Sequence, residues 1–425
     1  MARVLVCADG FFRSFSPIGL EPYIEGFIKA LTNIGNEVMP YIAHDFRHSK
    51  GWKRKIYSIQ STNEIKAFDP ELIITFNNAA DPNFLKKVDC PILIVASDTP
   101  VYWSNKDFIK KNPNRYSVMF FNDDMSENIK NEFNIPINRQ IKIPYSTNIY
   151  HPDDKKFDMD ISFIGNFYNP SPFLNTNLFK GFNKLSNENK SKLGDLICTF
   201  MDELDKNHNK NELTQKTFEQ ITKIKSVADY DQFISEAFIA LTHNKRQKLL
   251  NSIADLDLHI YTWTGNFSCI SNNYELFRKC HFEPCYTVQD NEKVYNSSKI
   301  SINLPHAQVN TGFSWRVCDI MGSNALLISN PSVDLTNLFG GIIPTYNNPA
   351  ELRDRCLYFL KNESERLNIV NECQQIINKN HRFENVFDII EKYTEIKLSN
   401  PNNGKLLNFK RTQSIQNKYK KHLGS

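Results

Sequence analysis

Short apolar segments recur along this chain, and the stretches between them have helical periodicity. In the first third the strand-like segments are Val4 to Cys7, Glu37 to Ile42, Leu72 to Phe76, Ile92 to Ser97, Val118 to Asn122 and Ile141 to Tyr145. Their continuous apolar character is typical of strands covered on both faces, hence of a parallel sheet. Between the first two, one helix face is marked by the apolar series Ile24, Phe27, Ile28 and Leu31. This alternation predicts an α/β fold built from βαβ units.

A second series of strand-like segments begins after a polar, turn-rich stretch at residues 147–157. Its members start at Ile161, Leu258, Lys299, Ala325 and Gly341. We therefore predict two Rossmann-like domains, residues 1–150 and 151–395, that face each other across a cleft. The polar stretch at about residues 170–250 is predicted to be a helical insertion in the second domain, with its charges on a solvated face.

Composition narrows the class of protein. The chain has 425 residues, of which 40% are hydrophobic and 23% charged, so an ordinary globular protein of at least two domains is expected. The net charge of +4 gives no support for a nucleic-acid partner. No run approaches eighteen apolar residues, and the start MARVLVCADG does not resemble a signal peptide. Nine irregularly spaced cysteines favour a reducing compartment, so we predict a cytoplasmic protein.

Two local features bear on partners. Cys280, His281 and Cys285 form a small cluster without a second ligand pair at zinc spacing, so no metal site is predicted. The tail at residues 396–425 is basic, and from Gly404 it has no acidic residue but six cationic ones: Lys405, Lys410, Arg411, Lys418, Lys420 and Lys421. Such a tail can bind an anionic membrane surface. A solvated helix, or a linker to a further part of a longer protein, remains an alternative.

The segment NTGFSWRVCDIMGSN, residues 310–324, lies between two predicted strands and must contain a short helix. The turn Asn310-Thr311-Gly312 precedes it, and free N–H groups at a helix start favour phosphate. Arg316 adds a planar cation suited to phosphate oxygens. Asp319 shares its helix face and can accept hydrogen bonds from ribose hydroxyls. The segment therefore indicates a nucleotide site, with a solvent-exposed Arg–Asp pair as the alternative.

The remaining candidate residues follow predicted strands, where ligands bind to parallel sheets. They are Gly165, Asn166, Gly265, His306, Asp98 and Asp9. A glycine here permits close approach of a ligand to the backbone. The histidine is a candidate hydrogen-bond donor or acid–base group, or a structural residue. Each of the two aspartates is a candidate base for an acceptor hydroxyl or the cap of a turn.

Six stretches follow one another along the chain: CPILIVASDTPVYW, VMFFNDDMSENIKNEF, IKIPYSTNIYHP, ISFIGNFY, YNSSKISINL and the stretch around RVCDIMG. In this order they resemble the CgeB-type (spore-maturation-protein-like) glycosyltransferases. The resemblance spans nearly the whole chain, apart from the helical insertion and the tail. The family usually has Phe-Glu where this chain has Cys318-Asp319, and Ala-Cys-Gly near Met321-Gly322.

The resemblance implies a GT-B fold and a nucleotide-sugar donor, which is a substrate rather than a cofactor and requires no metal-binding Asp-x-Asp. It places the donor at the segment with Arg316 and Asp319. We expect transfer of a sugar to a glycan or lipid-linked acceptor in cell-surface polysaccharide synthesis, of the lipopolysaccharide or capsule type, in the cytoplasm at the inner face of the membrane. Inversion and retention remain open. The alternatives are a nucleotide-sugar epimerase of the same fold and a non-catalytic glycan- or partner-binding module.

Overall fold

The structure, a computed structural model, describes residues 1–9, 21–46, 55–58, 62–168, 182–208, 210–225, 229–262, 267–281, 285, 287–401 and 403–407. The chain divides into two compact units. Unit 1 comprises the described residues within Met1–His151, Tyr286–Lys293 and Cys373–Ser425, and unit 2 those within Pro152–Cys285 and Val294–Glu372. The expected second domain, residues 151–395, differs from unit 2 because the chain returns to unit 1 at Cys373.

The sheet of unit 1 is mainly parallel. Its strands before the boundary are β1 Arg3–Asp9, β2 Glu37–Phe46, β3 Lys55–Ser58, β4 Leu72–Phe76, β5 Ile92–Val95, β6 Tyr116–Phe120 and β7 Gln140–Lys142. Their order is β2-β1-β4-β5-β6-β7, and β3 pairs antiparallel with the end of β2. The six predicted strands are confirmed, and β3 was not predicted. β4 and β5 are buried along their whole length, as strands covered on both faces must be.

Helices cover this sheet in the βαβ manner that the sequence predicts. They are α1 Pro22–Asn33, α2 Thr62–Phe68, α3 Pro82–Leu85, α4 Lys106–Lys111 and α5 Asp123–Phe133, with 3₁₀ turns at Pro100–Tyr102, Pro113–Arg115 and Ile137–Arg139. In α1 the predicted apolar face is buried. Pro22 occupies its first turn, where no N–H is needed, and Gly35 follows its end with φ of +97°.

The sheet of unit 2 is parallel throughout its described pairs. Its strands are β8 Met159–Ile164, β9 Leu258–Tyr261, β10 Cys280–His281, β11 Ser298–Asn303 and β12 Leu326–Ser329, in the order β10-β9-β8-β11-β12. The strand predicted from Gly341 is reduced to one isolated parallel bridge between Thr345 and Ser329. Because the pairs are parallel, the carboxyl ends of these strands lie at one edge of the sheet.

Unit 2 contains three long helices where the insertion was predicted. A 3₁₀ turn at Phe182–Lys184 precedes them. The helices of this unit are α6 Asn187–Asn207, α7 Glu212–Ile224, α8 Tyr230–Asn251, α9 Phe267–Ile270, α10 Tyr274–Phe277, α11 Val288–Asn296, α12 Arg316–Met321, α13 Val333–Phe339 and α14 Pro349–Lys361. Of these, α11 begins in unit 1. The end of α8 belongs to the core, because Leu250 packs with Ile161 and Ile260. The prediction that the charges of this region are solvated is wrong for Arg246, which is 3% exposed.

The C-terminal part of the chain completes unit 1. It contains α15 Glu363–Asn380, which begins in unit 2 and enters unit 1 at Cys373, α16 Phe383–Thr394 and β13 Lys405–Leu406. The ring of Phe27 in α1 meets Phe387 and Phe383 of α16 edge-on, at 5.1 and 5.6 Å between ring centres. β13 pairs parallel with the start of β2, so part of the predicted tail is a strand of the unit 1 sheet.

Within the described ranges, no helix combines the length and apolar character needed to cross a bilayer. All nine cysteines are free thiols, and Cys7 and Cys318 are fully buried among apolar neighbours. Such thiols act as small hydrophobic side chains.

The attachment of β13 depends on a glycine. A Cβ atom at Gly404 would lie 1.9 Å from the carbonyl oxygen of Thr32 and 2.7 Å from that of Asn36. We therefore expect Gly404→Ala to lower the free energy of unfolding by about 1–3 kcal/mol, through displacement of the strand. Urea unfolding measures this change.

The matched control for this prediction is Gly194→Ala, in the interior of α6, where an added Cβ meets nothing within 4 Å. This variant should be more stable than the wild type by about 0.5–1 kcal/mol, because alanine favours the helix. Equal unfolding free energies for Gly404→Ala and the wild type would contradict the proposed close packing.

Candidate functional site

The loops that follow β8 and β11 lie side by side, because these strands are parallel neighbours. The first loop is Gly165 to Tyr168 and the second is Leu304 to Ala307. Gly165, Asn166 and His306, all predicted site residues, are thereby brought to the same edge of the unit 2 sheet. Helix α8 contacts both loops through three side chains.

Arg246 of α8 joins the two loops. Its Nη1 donates to the carbonyl oxygen of Asn166, and its Nη2 donates to that of Leu304 at 2.7 Å. The guanidinium centre lies 5.7 and 5.3 Å from the ring centres of Phe163 and Tyr168. Its Nε is buried and has no hydrogen-bond partner in the part of the chain that the structure describes. The Nε–H of this buried cation is therefore a donor without an acceptor among the described residues.

Two further residues of α8 fix the same loops. His243 Nδ1 lies 3.1 Å from the carbonyl oxygens of Phe167 and Tyr168. Because carbonyl oxygens only accept, Nδ1 carries a proton and donates to both. Thr242 Oγ1 accepts the N–H of Ala307 at 2.9 Å. Tyr168 has φ of +58°, a left-handed conformation that is uncommon for a bulky residue, costs free energy and persists only where the surroundings impose it.

Arg316, the first residue of α12, places a second cation at this edge. Its Nη1 donates to Asn303 Oδ1 at 3.2 Å and to Ser314 Oγ at 3.3 Å. The guanidinium centre lies 5.9 Å from the ring centre of Phe163. Arg316 also shares a side-chain hydrogen bond with Tyr295. Burial raises the pKa of Tyr295, so this phenol stays protonated at neutral pH.

The two guanidinium groups are close enough to interact. Burial lowers the pKa of Arg246 to about 10, Tyr168 opposes this shift, and the charge of Arg316 adds to it. With this pKa, Arg246 remains cationic at neutral pH. Their acceptors are uncharged oxygens, and among the described residues no carboxylate lies within ion-pair distance of either. An anion at this edge would satisfy both charges.

Asn303, the last residue of β11, connects Arg316 to the sheet. It is fully buried. Its Oδ1 accepts from Ser314 Oγ at 2.7 Å in addition to Arg316. Its Nδ2 donates to Ser329 Oγ at 2.9 Å, and its carbonyl oxygen accepts from the hydroxyl of Tyr346 at 3.0 Å. The side chain is therefore held from three sides.

His306 is half-buried after β11, with its ring edge-on to Tyr168 at 5.2 Å. Burial, with a contribution from the charge of Arg246, lowers the pKa of His306 to about 3. The imidazole is therefore neutral at physiological pH. Its Nδ1 accepts the N–H of Gln308 at 3.3 Å, which assigns the proton to Nε2. His306 can donate one hydrogen bond through Nε2, but it is not a cation.

The turn at 310–312 lies ahead of α12 rather than at its first residue. The helix begins at Arg316, with Trp315 as the N-cap, so the N–H groups of its first turn are not those of Asn310, Thr311 and Gly312. The carbonyl oxygen of Thr311 accepts the N–H of Asp334 at 2.9 Å. Phosphate binding by this turn stays a prediction.

Asp319 lies one turn after Arg316 in α12. The buried residues of this helix are Val317, Cys318, Ile320 and Met321, whereas Arg316 and Asp319 are half-buried on the remaining face. Both side chains act electrostatically on Tyr295, so they lie near the same phenol. The shared face was predicted, and the contact of Asp319 with a ribose stays a prediction.

Gly165 is required by close packing. A Cβ atom there would lie 2.6 Å from Cζ of Phe163 and 3.3 Å from Nη2 of Arg316. Its N–H donates to the carbonyl oxygen of Tyr261 at 3.0 Å, which continues the pairing of β8 with β9. Gly265, the other predicted glycine, lies outside the described residues.

In unit 1 the predicted residue Asp98 follows β5. Its Oδ2 accepts from Asn77 Nδ2 at 2.7 Å, and its N–H donates to Asn77 Oδ1 at 3.1 Å. Asn77 follows the neighbouring strand β4 and has φ of +48°, in the left-handed region. The carboxylate of Asp98 is thus fixed by an amide at the carboxyl ends of adjacent strands. Asp9 is the last residue of β1, and its side chain lies outside the described part.

The predicted absence of a metal centre concerns His281 and its neighbours. Among the described residues, no three or more His, Cys, Asp or Glu side chains are grouped so as to hold a metal ion. His281 stacks on Tyr261 at 4.2 Å between ring centres, and its Nε2 lies 2.9 Å from Nδ1 of His259. Cys280 Sγ contacts the carbonyl oxygen of Leu276.

Several of these residues were not predicted. Asn303 is the last residue of a buried strand, and Asn77 directly follows one. A position at the end of a strand is the same signal that identified Gly165, so both could have been found from the sequence. Arg246 has no such signal, because in the sequence it resembles Lys245 and Lys248, which are exposed on the same helix.

Comparison with known proteins gives a family match over part of the chain and a fold. Residues 245–392, from α8 to α16, match the model of a family described as glycosyl transferase-like. Sucrose-phosphate synthase from Thermosynechococcus elongatus aligns over 92% of this chain and 98% of its own, with 10% identity and a TM-score of 0.53. Anabaena HepE, solved with UDP and glucose, aligns over 93% of this chain and 100% of its own, with 8% identity and a TM-score of 0.52. No curated protein sequence matches the chain significantly.

The two parallel-sheet α/β units, together with these similar structures, define the GT-B fold, as the sequence predicted. The matched stretch also carries the features of a glycosyl transferase-like family, and it contains Arg246, His306, Arg316 and Asp319. The narrower resemblance to the CgeB type stays a prediction.

The neutral state of His306 has a measurable consequence for stability. Its pKa is about 3 in the folded protein and about 6.5 in an unfolded chain, so between these values the unfolded chain binds the extra proton. Stability is therefore lost as the pH falls from about 6.5, by at most about 1.4 kcal/mol per pH unit from this residue. His306→Asn should lose less stability than the wild type between about pH 7.5 and about pH 5 in urea unfolding. Parallel losses in the two proteins would contradict the lowered pKa.

Proposed function

We propose that this protein is a glycosyltransferase that moves a sugar from a nucleoside-diphosphate sugar to a hydroxyl group of a glycan or lipid-linked acceptor. The observation that carries this proposal is the pair of guanidinium groups, Arg246 and Arg316, at the carboxyl ends of β8 and β11. A diphosphate carries charge on two neighbouring phosphates, and two cations with neutral partners suit it. The GT-B fold and the family match support the same class of reaction.

The proposed donor site uses the groups at this edge in separate roles. Arg316 binds the diphosphate, and the buried Arg246 adds positive charge to its surroundings, while Asp319 accepts hydrogen bonds from the ribose hydroxyls. Gly165 lets the donor approach the backbone. His306 donates through Nε2 to an oxygen of the sugar or phosphate, because its Nδ1 accepts the N–H of Gln308.

The reaction breaks the bond between the anomeric carbon and the diphosphate oxygen, and forms a bond from that carbon to the acceptor oxygen. Negative charge develops on the leaving diphosphate, and the two arginines stabilise it in dry surroundings. Since they supply this positive charge, the proposal requires no metal ion. In an inverting reaction Asp98 takes the proton of the acceptor hydroxyl. A retaining reaction by double displacement would instead need a carboxylate nucleophile.

We assign the reaction to cell-surface polysaccharide synthesis at the inner face of the membrane. The resemblance to the CgeB type and the basic residues after Gly404 support this assignment. Cationic tails bind anionic headgroups with about 1 kcal/mol per Lys or Arg. Co-sedimentation with phosphatidylglycerol vesicles, compared with phosphatidylcholine vesicles, tests the membrane placement.

Nucleotide binding is the first test of the donor site. Thermal shift and calorimetry with UDP, GDP, dTDP and CMP should show tighter binding of one nucleoside diphosphate than of CMP or of the matching nucleoside. Arg316→Gln should weaken the binding of that diphosphate about 10- to 100-fold, because a charge-assisted hydrogen bond is lost. This factor corresponds to about 1.4–2.8 kcal/mol of binding free energy.

The matched control for Arg316→Gln is Arg353→Gln, which removes an arginine of the same unit that pairs with Asp255 on the surface. Its nucleotide affinity should equal that of the wild type. If none of the four nucleotides binds the wild type, the donor-site proposal is wrong.

Catalysis is tested by incubating nucleotide sugars with and without candidate glycan acceptors and following free nucleotide and sugar product. Asp98→Asn should lower kcat by about 10²–10⁴-fold with unchanged nucleotide affinity, because the variant cannot take a proton. An epimerised nucleotide sugar in place of transfer would favour the epimerase alternative. Full activity of Asp98→Asn would remove this residue from the mechanism.

A further inference from the structure

The amide of Asn303 has a fixed orientation. Arg316 Nη1 can only donate a hydrogen bond, so the atom of Asn303 that faces it must be the oxygen Oδ1. The nitrogen Nδ2 therefore faces Ser329 Oγ at 2.9 Å. Ser329 Oγ in turn lies 3.3 Å from Oδ1 of Asn330, to which it donates. Each hydrogen bond in this series thus has a defined donor and acceptor, and the side-chain oxygen of Asn303 faces Arg316.

We propose that Asn303 is a positioning residue for the donor diphosphate. Its neutral oxygen orients the Arg316 guanidinium while leaving the positive charge uncompensated, so that the charge is available to phosphate. This inference rests on the proposed function of the same site. Asn303 does not touch the donor and acts through Arg316.

The argument depends on the difference between an amide and a carboxylate of the same shape. Asn303 is fully buried, where an opposite charge beside Arg316 would interact strongly. Aspartate at this position would form an ion pair with Arg316 and cancel the charge that the diphosphate needs. The amide gives the same hydrogen-bond geometry without that neutralisation.

The second cation, Arg246, adds to the positive charge that a phosphate ligand would sense at this edge of the sheet, where Asn303 contributes an amide and no carboxylate. Arg246 already feels the charge of Arg316, which contributes to the lowering of the pKa of Arg246. Both side chains lie against the ring of Phe163, so two positive charges, neither with a carboxylate at ion-pair distance among the described residues, share one small region. A dianionic ligand is attracted to both charges, whereas a nucleoside without phosphate is attracted to neither. The role of Asn303 should therefore be visible only for ligands that carry phosphate.

The test compares Asn303→Asp with the wild type. The probes are inorganic pyrophosphate, the nucleoside diphosphate among UDP, GDP and dTDP that the wild type binds most tightly, and its matching nucleoside. Asn303→Asp should weaken the binding of pyrophosphate and of the nucleoside diphosphate by at least about 10-fold. Its affinity for the nucleoside should stay within about 2-fold of that of the wild type. The melting temperature of the free protein should be unchanged or raised, since an ion pair has been added.

Two further variants separate positioning from a structural role. Asn303→Leu removes the acceptor without adding charge. It should also selectively weaken the binding of ligands that carry phosphate, so it tests the proposal even if Asn303→Asp does not fold. In the Arg316→Gln background, Asn303→Leu should have no further effect on diphosphate affinity, because Asn303 acts through Arg316 and the leucine adds no charge.

The outcomes decide between the two proposals. If the wild type binds a nucleoside diphosphate and the Asn303 variants bind it equally well, the inference is overturned and the donor site stands. An equal loss of nucleoside and diphosphate affinity with a lowered melting temperature assigns Asn303 a structural role only, which also overturns it. If the wild type binds neither pyrophosphate nor any of the nucleotides, the proposed function fails and the inference fails with it.

Discussion

One buried arginine holds the carboxyl edge of the unit 2 sheet together. The carbonyl oxygens that follow β8 and β11 need hydrogen-bond donors, because they lie away from water. Arg246 supplies both donors from helix α8, and His243 on the same helix supplies a third for the β8 loop. The relative positions of Gly165, His306 and Arg316 depend on these contacts. A helix that the sequence assigns to an insertion thus determines the geometry of the site.

Placing Arg246 beside Arg316 has a cost that the fold only partly offsets. Aromatic rings and carbonyl dipoles stabilise the two cations, but they do not cancel the charge. Proteins retain such arrangements where function needs them, at the expense of stability. The neutral partners at this edge, above all Asn303 and Tyr295, are consistent with a region kept positive for an anion. Burial and the charge of Arg246 also keep His306 neutral. The same few residues therefore determine which groups at this edge carry a charge.

The strands show which local signals are sufficient. Apolar segments such as β4 and β5 were predicted correctly, because a strand buried on both faces must be largely apolar. The short strands β3, β10 and β13 were not, since their few residues are extended only because a neighbouring strand offers hydrogen bonds. The return of the chain to unit 1 was missed for a similar reason. The apolar faces of α1 and α16 are visible in the sequence, but their pairing through Phe27 and Phe387 is a long-range contact.

The sequence by itself determined the α/β class, the two series of parallel strands, and the candidate edge residues Gly165, His306 and Arg316. Periodicity and the position of a residue after a strand are local properties, and parallel strands place their carboxyl ends together. Only the tertiary structure decided that Arg246, among exposed lysines of the same helix, is buried at this edge. It alone showed that Asn303 faces Arg316 with a neutral oxygen. The physical reason is that burial and charge compensation depend on neighbours distant in sequence, which no local pattern encodes.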